Sequence, residues 1–169
     1  NEIISASFIP KNITASLLDF TTHVKGAAPL GETTPGQWRQ EIRHHPAPWG
    51  ELRSSRMVFV GPSSALREIE NPELIMQGWE RAMSCFEELT GRPFKRPVVI
   101  VFDRQLSLRD LHSGYPIAGK LGFVSAMLNP RAFAEAHLWG QLHEIGHNLQ
   151  LDEWTFAGTE EVTNNLMVL

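Results

Sequence analysis

The chain has 169 residues, of which 42% are hydrophobic and 20% are charged. These proportions are typical of a folded globular protein and exclude a disordered one, and the net charge of -4 gives no reason to expect nucleic acid or an anionic membrane as a partner. The single cysteine, Cys85, excludes an internal disulfide and is expected to be a buried thiol in an apolar helix. No apolar run is long enough for a transmembrane segment, and the first residues lack the basic-then-apolar pattern of a secretion signal.

The N-terminal part of the chain divides into two regions. Residues 1–25 alternate between apolar and polar side chains in two runs, the second of which ends at Val24, with a turn between them at Pro10–Asn12. This alternation predicts two β-strands. Residues 26–50 are rich in glycine and proline, which predicts a connector to a main unit in residues 51–169. Because the chain stops inside a predicted helix, we expect this unit to be truncated at its C-terminus.

The middle of the chain predicts a strand, a long helix and a second strand. The short apolar run Met57–Val60 predicts the first strand, which Gly61–Pro62 ends. Asn71 is expected to cap the long helix, with a proline at its first position and Gly91 at its end. The continuous apolar run Pro97–Asp103 is rich in β-branched residues and predicts an inner strand covered on both faces.

Small residues and a proline interrupt the strand-like segment Gly114–Gly119. Because proline cannot donate a ladder hydrogen bond, such a segment is confined to the edge of a sheet. An extended substrate can pair with a free edge by adding a strand, so the candidate substrate-edge residues are Gly114, Tyr115, Pro116 and Ile117. An ordinary loop is the alternative interpretation of this segment.

An amphipathic helix is predicted near the C-terminus. Asn129 and Pro130 predict the start of a helical stretch that leads into it. Its apolar stripe has helical spacing and consists of Leu138, Leu142, Ile145 and Leu149. Gly146 lowers the helix propensity by about 1 kcal/mol, a cost that is tolerated where another backbone must pass close by. A metal site requires such crowding.

The predicted helix carries the pattern His-Glu-x-x-His at His143, Glu144 and His147. Residues four apart lie on one face of a helix, so both imidazoles can reach one metal ion, whereas Glu144 is turned by about 100° and lies beside it. Two imidazoles, one carboxylate and a water are the ligands of a catalytic zinc. The pattern therefore predicts a zinc metallopeptidase with one Zn²⁺ per chain, in which Glu144 assists the attack of a zinc-bound water on a peptide bond. Two partly solvated histidines on an ordinary amphipathic helix are the alternative.

The third metal ligand is expected to come from a second helix, for which Thr159 is the candidate N-cap. The longer HExxHxxGxxH pattern is excluded because Gln150 and Glu153 stand where glycine and histidine are required. Of the two carboxylates at the start of this helix, Glu161 is chosen as the ligand. Glu160 is expected to meet solvent, where it still favours the N-terminus of the helix.

Three further expectations concern the surroundings of this ligand. Glu161 flanks a predicted buried stripe, which consists of Val162, Leu166 and Leu169. Asn165, one turn beyond Glu161, is placed to bind the outer nitrogen of a ligand histidine, although a purely structural asparagine is the alternative. Trp154, on the loop between the two helices, either lines a pocket or anchors the loop.

Several segments resemble the enhancin and mucin-directed metallopeptidase family, peptidase family M60. They are Trp38–Leu52, His112–Ile117, Leu138–Asn148, Glu153–Phe156 and Thr159–Asn165. The resemblance covers roughly residues 20–169 and is especially close to the branch that contains the TRP-channel-associated factors. Some members of that branch lack the second histidine of the motif. This sequence keeps both histidines, the glutamate between them and the later glutamate, so it resembles the catalytic kind.

The order of the predicted elements, which is strand, helix, strand, edge strand and two helices, predicts an α+β fold. From the resemblance we expect a zincin-like (gluzincin) metallopeptidase unit with a mixed β-sheet and the His-Glu-x-x-His motif on its active-site helix, preceded by part of a β-sandwich in residues 1–25. The resemblance implies hydrolysis of peptide bonds in proteins or glycoproteins, including mucin-type proteins that bear O-linked sugars. The histidine or tyrosine that stabilises the transition state in gluzincins is expected beyond Leu169.

The resemblance also leaves an alternative function. In the channel-associated branch, the same fold is expected to serve as a non-catalytic regulatory or interaction module. A mucin peptidase is expected to be secreted or at the cell surface, and a channel-associated protein to be cytoplasmic or membrane-associated. The sequence leaves the oligomeric state open.

Overall fold

The structure is a computed structural model that describes residues 33–106, 110–135 and 137–169, together with the backbone of two N-terminal strands. Within this part of the chain, seven strands form one mixed sheet in the order β2-β1-β3-β4-β5-β7-β6. The strands are β1 (Glu2–Ile9), β2 (Asn12–Asp19), β3 (Trp49–Arg53), β4 (Met57–Pro62), β5 (Val98–Asp103), β6 (Leu111–His112) and β7 (Ile117–Lys120).

The described residues also form six α-helices and three short 3-10 helices. The α-helices are α1 (Pro35–Gln40), α2 (Ser63–Arg67), α3 (Pro72–Thr90), α4 (Val124–Met127), α5 (Trp139–Leu149) and α6 (Glu160–Thr163). The 3-10 helices span Ile42–His44, Leu121–Phe123 and Asn164–Met167. None of these helices is long and apolar enough to cross a membrane.

The sheet mixes parallel and antiparallel neighbours. β4 pairs in parallel with β5, and β5 pairs in parallel with β7. Parallel neighbours need a crossover connection, and α3 provides it between β4 and β5. The other sequential neighbours, β3 with β4 and β6 with β7, are antiparallel. The predicted α+β class with a mixed sheet is therefore confirmed.

The two N-terminal strands belong to the same sheet. β1 and β2 form an antiparallel pair, and β1 pairs in parallel with β3, with Ile3 opposite Trp49. The second strand ends at Asp19, and the rest of the predicted second run, up to Val24, lies outside the described residues. The predicted division into residues 1–25, 26–50 and 51–169 stays a prediction.

The core lies between the sheet and its helices. From the sheet it takes the buried side chains of Phe59, Ile100 and Phe102, and the rings of Phe59 and Phe102 lie 5.5 Å apart. From α3 it takes buried residues that recur at helical spacing, of which Met76, Trp79 and Met83 are the least exposed. Burial of each such side chain contributes about 1.5–3 kcal/mol to folding, so this core fixes the framework that carries the site.

The predicted long helix is confirmed as α3, and so are the strands on either side of it. Gly91 follows the helix with φ of 65°, the left-handed conformation that glycine adopts readily at helix ends. Asn71 occupies the N-cap position, but its side chain forms no capping hydrogen bond. The prediction that Cys85 is buried was wrong, because Cys85 is exposed: it lies about 120° around the helix from Trp79, away from the buried face.

Two predicted elements differ from the structure. The stretch after Asn129 is a series of turns instead of a helix, because the Asn129 side-chain oxygen accepts a hydrogen bond from the Arg131 backbone N–H and closes a local turn. Gly114–Pro116 forms the turn between β6 and β7 and is not an edge strand. Ile117 begins β7, which lies inside the sheet, and the short strand β6 forms the edge.

Candidate metal centre

The two histidines of the motif lie on α5, as predicted. Leu138 and Ile145 are buried, and the other two residues of the predicted stripe, Leu142 and Leu149, are partly buried against the core. Burial of this stripe turns the opposite face, with His143 and His147, toward the C-terminal segment. The centroids of the two imidazole rings are 4.8 Å apart, and the rings are nearly perpendicular.

Glu161 meets both histidines from the single turn of α6. Its Oε2 atom lies 3.1 Å from Nε2 of His143 and 3.3 Å from Nε2 of His147. Ligand atoms at the corners of a tetrahedral zinc site with bonds of 2.0–2.1 Å are about 3.3 Å apart. The observed separations between carboxylate and imidazole atoms therefore match those of a tetrahedral site, and all three ligand atoms lie within 4.8 Å of one another.

Glu160 faces away from this cluster. Its side chain is exposed, and its Oε1 atom accepts a hydrogen bond from the Gly158 backbone N–H. Hydrogen bonds from its own backbone N–H and from that of Gly158 hold the pKa of the Glu160 carboxyl below its ordinary value. The carboxylate of Glu160 is thus engaged at the start of α6, and Glu161 is the residue that the structure brings to the histidines.

The close approach of the two segments depends on Gly146. A Cβ atom at this position would lie 2.0 Å from the backbone oxygen of Asn164 and 2.7 Å from its carbonyl carbon. Neither backbone can move aside without moving the helix that carries it. The sequence-based expectation that another backbone passes close to Gly146 is therefore confirmed, and this contact sets the distance between the histidines and Glu161.

Side-chain amides bind the outer nitrogens of both imidazoles. The Oδ1 atom of Asn165 lies 2.9 Å from Nδ1 of His143, and the Oε1 atom of Gln150 lies 3.3 Å from Nδ1 of His147. If Nδ1 of each ring donates its hydrogen to the amide oxygen, the lone pair of each Nε2 is left facing Glu161. Gln150 also donates to the backbone oxygen of Glu160 and to Oγ1 of Thr163, so it joins the end of α5 to α6.

Asn164 lies in the middle of the cluster and is fully buried. Its Nδ2 atom is 3.0 Å from both ring nitrogens of His143, a position over the face of that ring, and 3.0 Å from Nε2 of His147. The same nitrogen donates to the backbone oxygen of His143 at 3.3 Å. Asn164 therefore restrains both imidazole rings and links the C-terminal segment to the backbone of α5 at His143.

Glu144 is half-buried, and it lies on α5 one residue beyond His143, outside the ligand cluster. Within the part of the chain that the structure describes, its carboxylate forms no ion pair and no hydrogen bond. This carboxylate is therefore available to bind a water molecule near the histidines.

The C-terminal stripe was predicted wrongly. Val162, Leu166 and Leu169 are exposed, and Asn164 and Met167 are buried in their place. The reason is the change from α-helix to 3-10 helix at Asn164, because residues three apart, and not four apart, lie on one face of a 3-10 helix. Thr159 occupies the N-cap position of α6, but its hydroxyl donates to the Phe156 backbone oxygen and does not cap the helix.

The remaining predicted site residues lie around the cluster. Trp154 is half-buried against the core, and its indole N–H has no hydrogen-bond partner within the described residues. Gly114 is held against α5 by Asn148, whose side-chain amide donates to the Gly114 carbonyl at 2.8 Å and accepts from its N–H at 3.0 Å. Tyr115 is half exposed beside this contact.

Several residues that contact the site were not predicted from the sequence. Asn148, Gln150 and Asn164 make the contacts described above, yet asparagine and glutamine near a metal motif carry no spacing signal of their own. Trp139 is 55% exposed, and its ring lies 4.7 Å from the His143 imidazole, centroid to centroid. Its position one turn before His143 could have pointed to this contact, because residues four apart share a helix face.

Comparison with known proteins identifies the family. The family model described as "Peptidase M60, enhancin and enhancin-like" matches residues 27–169. The chain belongs to peptidase family M60. The family predicted from the sequence is thereby confirmed.

Curated relatives of this M60 chain are channel-associated factors. TRPM8 channel-associated factor 1 of Homo sapiens is 39% identical over 166 residues, which is 94% of this chain and 18% of the relative. TRPM8 channel-associated factor 2 of Bos taurus is 41% identical over 140 residues, which is 81% of this chain and 15% of the relative. The chain thus spans less than a fifth of the length of these relatives.

Solved structures of M60 metallopeptidases share the fold. A metallopeptidase from Bacteroides thetaiotaomicron superposes with a TM-score of 0.68 at 18% identity, covering 80% of this chain and 24% of that one. The M60 catalytic domain of ZmpC from Clostridium perfringens, solved in complex with the sialyl T antigen, gives a TM-score of 0.62 at 17% identity over 98% of this chain and 32% of that one. A conserved protein of unknown function from Bacillus anthracis gives 0.72 at 20% identity over 96% and 32%.

Proposed function

We propose that this M60 unit is a zinc-dependent peptidase that hydrolyses peptide bonds in glycoproteins, including those that carry O-linked sugars. The observation that carries the proposal is the convergence of His143, His147 and Glu161, whose ligand atoms are 3.1 and 3.3 Å apart across the two segments. The fold of a peptidase family and the intact glutamate between the two histidines support the same function.

The residues present fit a zinc ion. Two neutral imidazoles and one carboxylate are the donor set that zinc takes in peptidases of the His-Glu-x-x-His type, with the last position left to water. The amides of Asn165 and Gln150 orient the two rings from outside, as the outer partners of zinc-ligating histidines do. His143, His147 and Glu161 would hold the ion, and the close packing at Gly146 keeps them in place.

A bound zinc ion would lower the pKa of a water molecule to about 7 and would polarise the carbonyl of the peptide bond. The residue that handles protons is Glu144, whose unpaired carboxylate lies beside the ligands and not among them. Its oxygen takes the proton from the attacking water and then passes it to the nitrogen of the departing amine. The half-buried position of Glu144 limits competition from bulk water during this transfer.

The substrate class is drawn from the family. Related metallopeptidases have been solved in complex with Tn antigen and with the sialyl T antigen. We place the substrate along the β6 edge, beside the Gly114–Pro116 turn, because this end of the sheet is held against α5 by Asn148. Trp139 at the start of α5 and Trp154 between α5 and α6 are candidate contacts for the substrate.

The experiment that tests the function is a digestion by the zinc-loaded protein of one protein substrate in O-glycosylated and bare forms. Glu144→Gln is the key variant, because it removes the proton carrier and leaves the metal ligands unchanged. The proposal expects hydrolysis by the native chain, none by Glu144→Gln, and about one zinc per chain in both. Hydrolysis by Glu144→Gln at the native rate would contradict it.

A regulatory or interaction module is the second candidate function. The observation that favours it is the identity of 39–41% to TRPM8 channel-associated factors, which is higher than the 17–18% to the metallopeptidases of known structure. Metal analysis separates the two candidates together with the digestion. A chain that binds zinc tightly but cleaves neither form of the substrate would favour the interaction module.

A further inference from the structure

A cavity opens beside the end of α5. It has a volume of about 380 Å³ and lies between the start of β5, the turn before β7 and the end of α5. Its wall includes Phe94, Arg96, Val98, Tyr115, Asn148 and Leu149. Asn148 directly follows His147 along α5, so the cavity adjoins the half of the helix that carries the second candidate metal ligand.

The wall of this cavity is held in place by backbone contacts. Asn148 uses both ends of its side-chain amide on Gly114, donating to the carbonyl at 2.8 Å and accepting from the N–H at 3.0 Å. This pair reproduces the two hydrogen bonds of a strand neighbour and fixes the turn against α5. Because both ends of the amide are engaged with Gly114, the Asn148 side chain is fixed in place and shapes the wall of the cavity.

The same wall presents two cationic side chains. Lys95 and Arg96 line the cavity and are exposed, and no carboxylate of the described residues pairs with either of them. The guanidinium carbon of Arg96 lies 3.4 Å from the centroid of the Tyr115 ring. Stacking on the ring holds the planar guanidinium and leaves the N–H groups along its edge free to bind an anion.

The chain carries a net charge of -4, so a general excess of positive charge does not explain why Lys95 and Arg96 lie together. Lys95 and Arg96, which pair with no carboxylate of the described residues, therefore form a local concentration of positive charge on one concave surface. A guanidinium edge binds a carboxylate through two parallel hydrogen bonds, and such charge-assisted bonds are stronger than neutral ones. The apolar side chains of the same wall, such as Phe94, Val98 and Leu149, can contact the rest of the molecule that carries the carboxylate.

We propose that this cavity binds a carboxylate carried by the substrate, with Arg96 as the residue that recognises it and Lys95 as a second positive charge. The inference rests on the proposed peptidase function for the identity of the ligand as a substrate. It deepens that function, because it makes an acidic group near the cleavage site a determinant of specificity. The carboxylate can belong to an acidic side chain of the peptide or to an acidic sugar, and the two sources are distinguished by experiment.

The test measures binding and not turnover, so that its outcome is independent of hydrolysis. The zinc-loaded chain with Glu144→Gln is titrated with two labelled, extended peptides that differ only by a glutamate-to-glutamine exchange, and free N-acetylneuraminic acid is added as a competitor. The expected result is roughly tenfold tighter binding of the glutamate peptide, since a hydrogen-bonded charge contributes at least this factor. Raising the salt concentration should reduce the preference.

Variants of Arg96 and of the nearby Arg92 complete the test. Arg96→Ala should abolish the preference, and Arg96→Lys should restore only part of it, because an ammonium cannot stack or bind a carboxylate with two hydrogen bonds. Arg92→Ala is the matched control, because Arg92 is also exposed but pairs with Glu153 and does not line the cavity. Displacement of the peptide by N-acetylneuraminic acid from the Glu144→Gln chain, lost when Arg96→Ala is added, assigns the site to a sugar carboxylate.

Two results would overturn the proposal. One is equal affinity for both peptides together with no competition by N-acetylneuraminic acid. The other is a preference for glutamate that survives Arg96→Ala. If the native chain does not hydrolyse the substrate but the Arg96-dependent preference for the glutamate peptide is observed, the peptidase function is refuted and the anion site is supported.

Discussion

Gly146 and Asn164 are in backbone contact, and this contact joins the segment that carries the two histidines to the segment that carries Glu161. A side chain of any size on Gly146 would overlap the Asn164 carbonyl group, with the Cβ atom at 2.0 Å from its oxygen. The three candidate metal ligands come from both sides of this contact. The glycine between the histidines is therefore as much a part of the metal site as the ligands.

The first prediction concerns this glycine. Gly146→Ala should weaken zinc binding at least tenfold although no ligand is changed, because the segments must separate by more than 1 Å to admit the methyl group, and zinc bonds tolerate only about 0.2 Å. Zinc affinity is measured by competition with a chelator of known affinity. Gly122→Ala is the control, since a Cβ atom there has no neighbour within 4 Å, and its zinc affinity should be unchanged.

The second prediction separates the two adjacent carboxylates. Glu161→Ala should lower the zinc content of the purified protein well below one per chain, because it removes one of three protein ligands. Glu160→Ala should leave the zinc content near one, because that carboxylate is engaged with backbone N–H groups at the start of α6. Metal analysis after gel filtration gives both values. The reverse pattern would assign the ligand to Glu160.

The third prediction concerns the amides that hold the imidazoles. Asn165→Ala and Gln150→Ala should each weaken zinc binding by roughly 10–100-fold, because the outer partner of a ligand histidine fixes the orientation of its ring. Asn129→Ala is a suitable control, since that side chain bonds only to Arg131 and Glu135 among the described residues and lies outside the site. Native zinc affinity in both amide variants would show that these contacts are purely structural.

The fourth prediction concerns stability away from the site. Burial raises the pKa of the Glu80 carboxyl, but hydrogen bonds from Ser54, Arg56 and Ser55 outweigh it and hold the pKa below its ordinary value. A carboxyl whose folded-state pKa is lowered stabilises the fold above the unfolded-state pKa of about 4.5 and loses this contribution as the pH falls through the folded-state value.

Glu80→Gln should therefore destabilise the protein by about 2 kcal/mol at pH 7, and the difference from the native chain should shrink at acid pH. Urea unfolding at pH 7 and pH 4 measures both differences. The control is Glu70→Gln, whose pair with Arg43 is exposed, with 74% of the glutamate side chain accessible, and which should change stability by less than about 0.5 kcal/mol. An equal loss at both pH values would contradict the assignment to ionised Glu80.

Local patterns predicted the elements whose signals lie within a few residues. The His-Glu-x-x-His spacing and the apolar stripe predicted α5, and the asparagine, proline and glycine boundaries predicted α3. Glu161 was preferred to Glu160 because it flanks the predicted C-terminal stripe, and the structure brings Glu161 to the histidines although the residues of that stripe are exposed. The structure places His143, His147 and Glu161 together, as the spacing predicted. The helical cost of Gly146 pointed correctly to a close backbone neighbour.

Features that depend on tertiary contacts could not be predicted in this way. The switch from α-helix to 3-10 helix at Asn164 turned Val162 and Leu166 outward, and no local propensity marks such a switch. The place of Ile117 inside the sheet depends on the short strand β6, whose two residues carry too little alternation to be recognised. The roles of Gln150 and Asn164 depend on how α5 and α6 pack, because neither residue belongs to the motif.

The most direct test of the account is the location of zinc in crystals of the zinc-loaded protein, by anomalous scattering at the zinc absorption edge. We expect one strong peak per chain at bonding distances of about 2.0–2.2 Å from Nε2 of His143, Nε2 of His147 and a carboxylate oxygen of Glu161. A zinc peak bound by other residues, or no peak between these three side chains at saturating zinc, would contradict it.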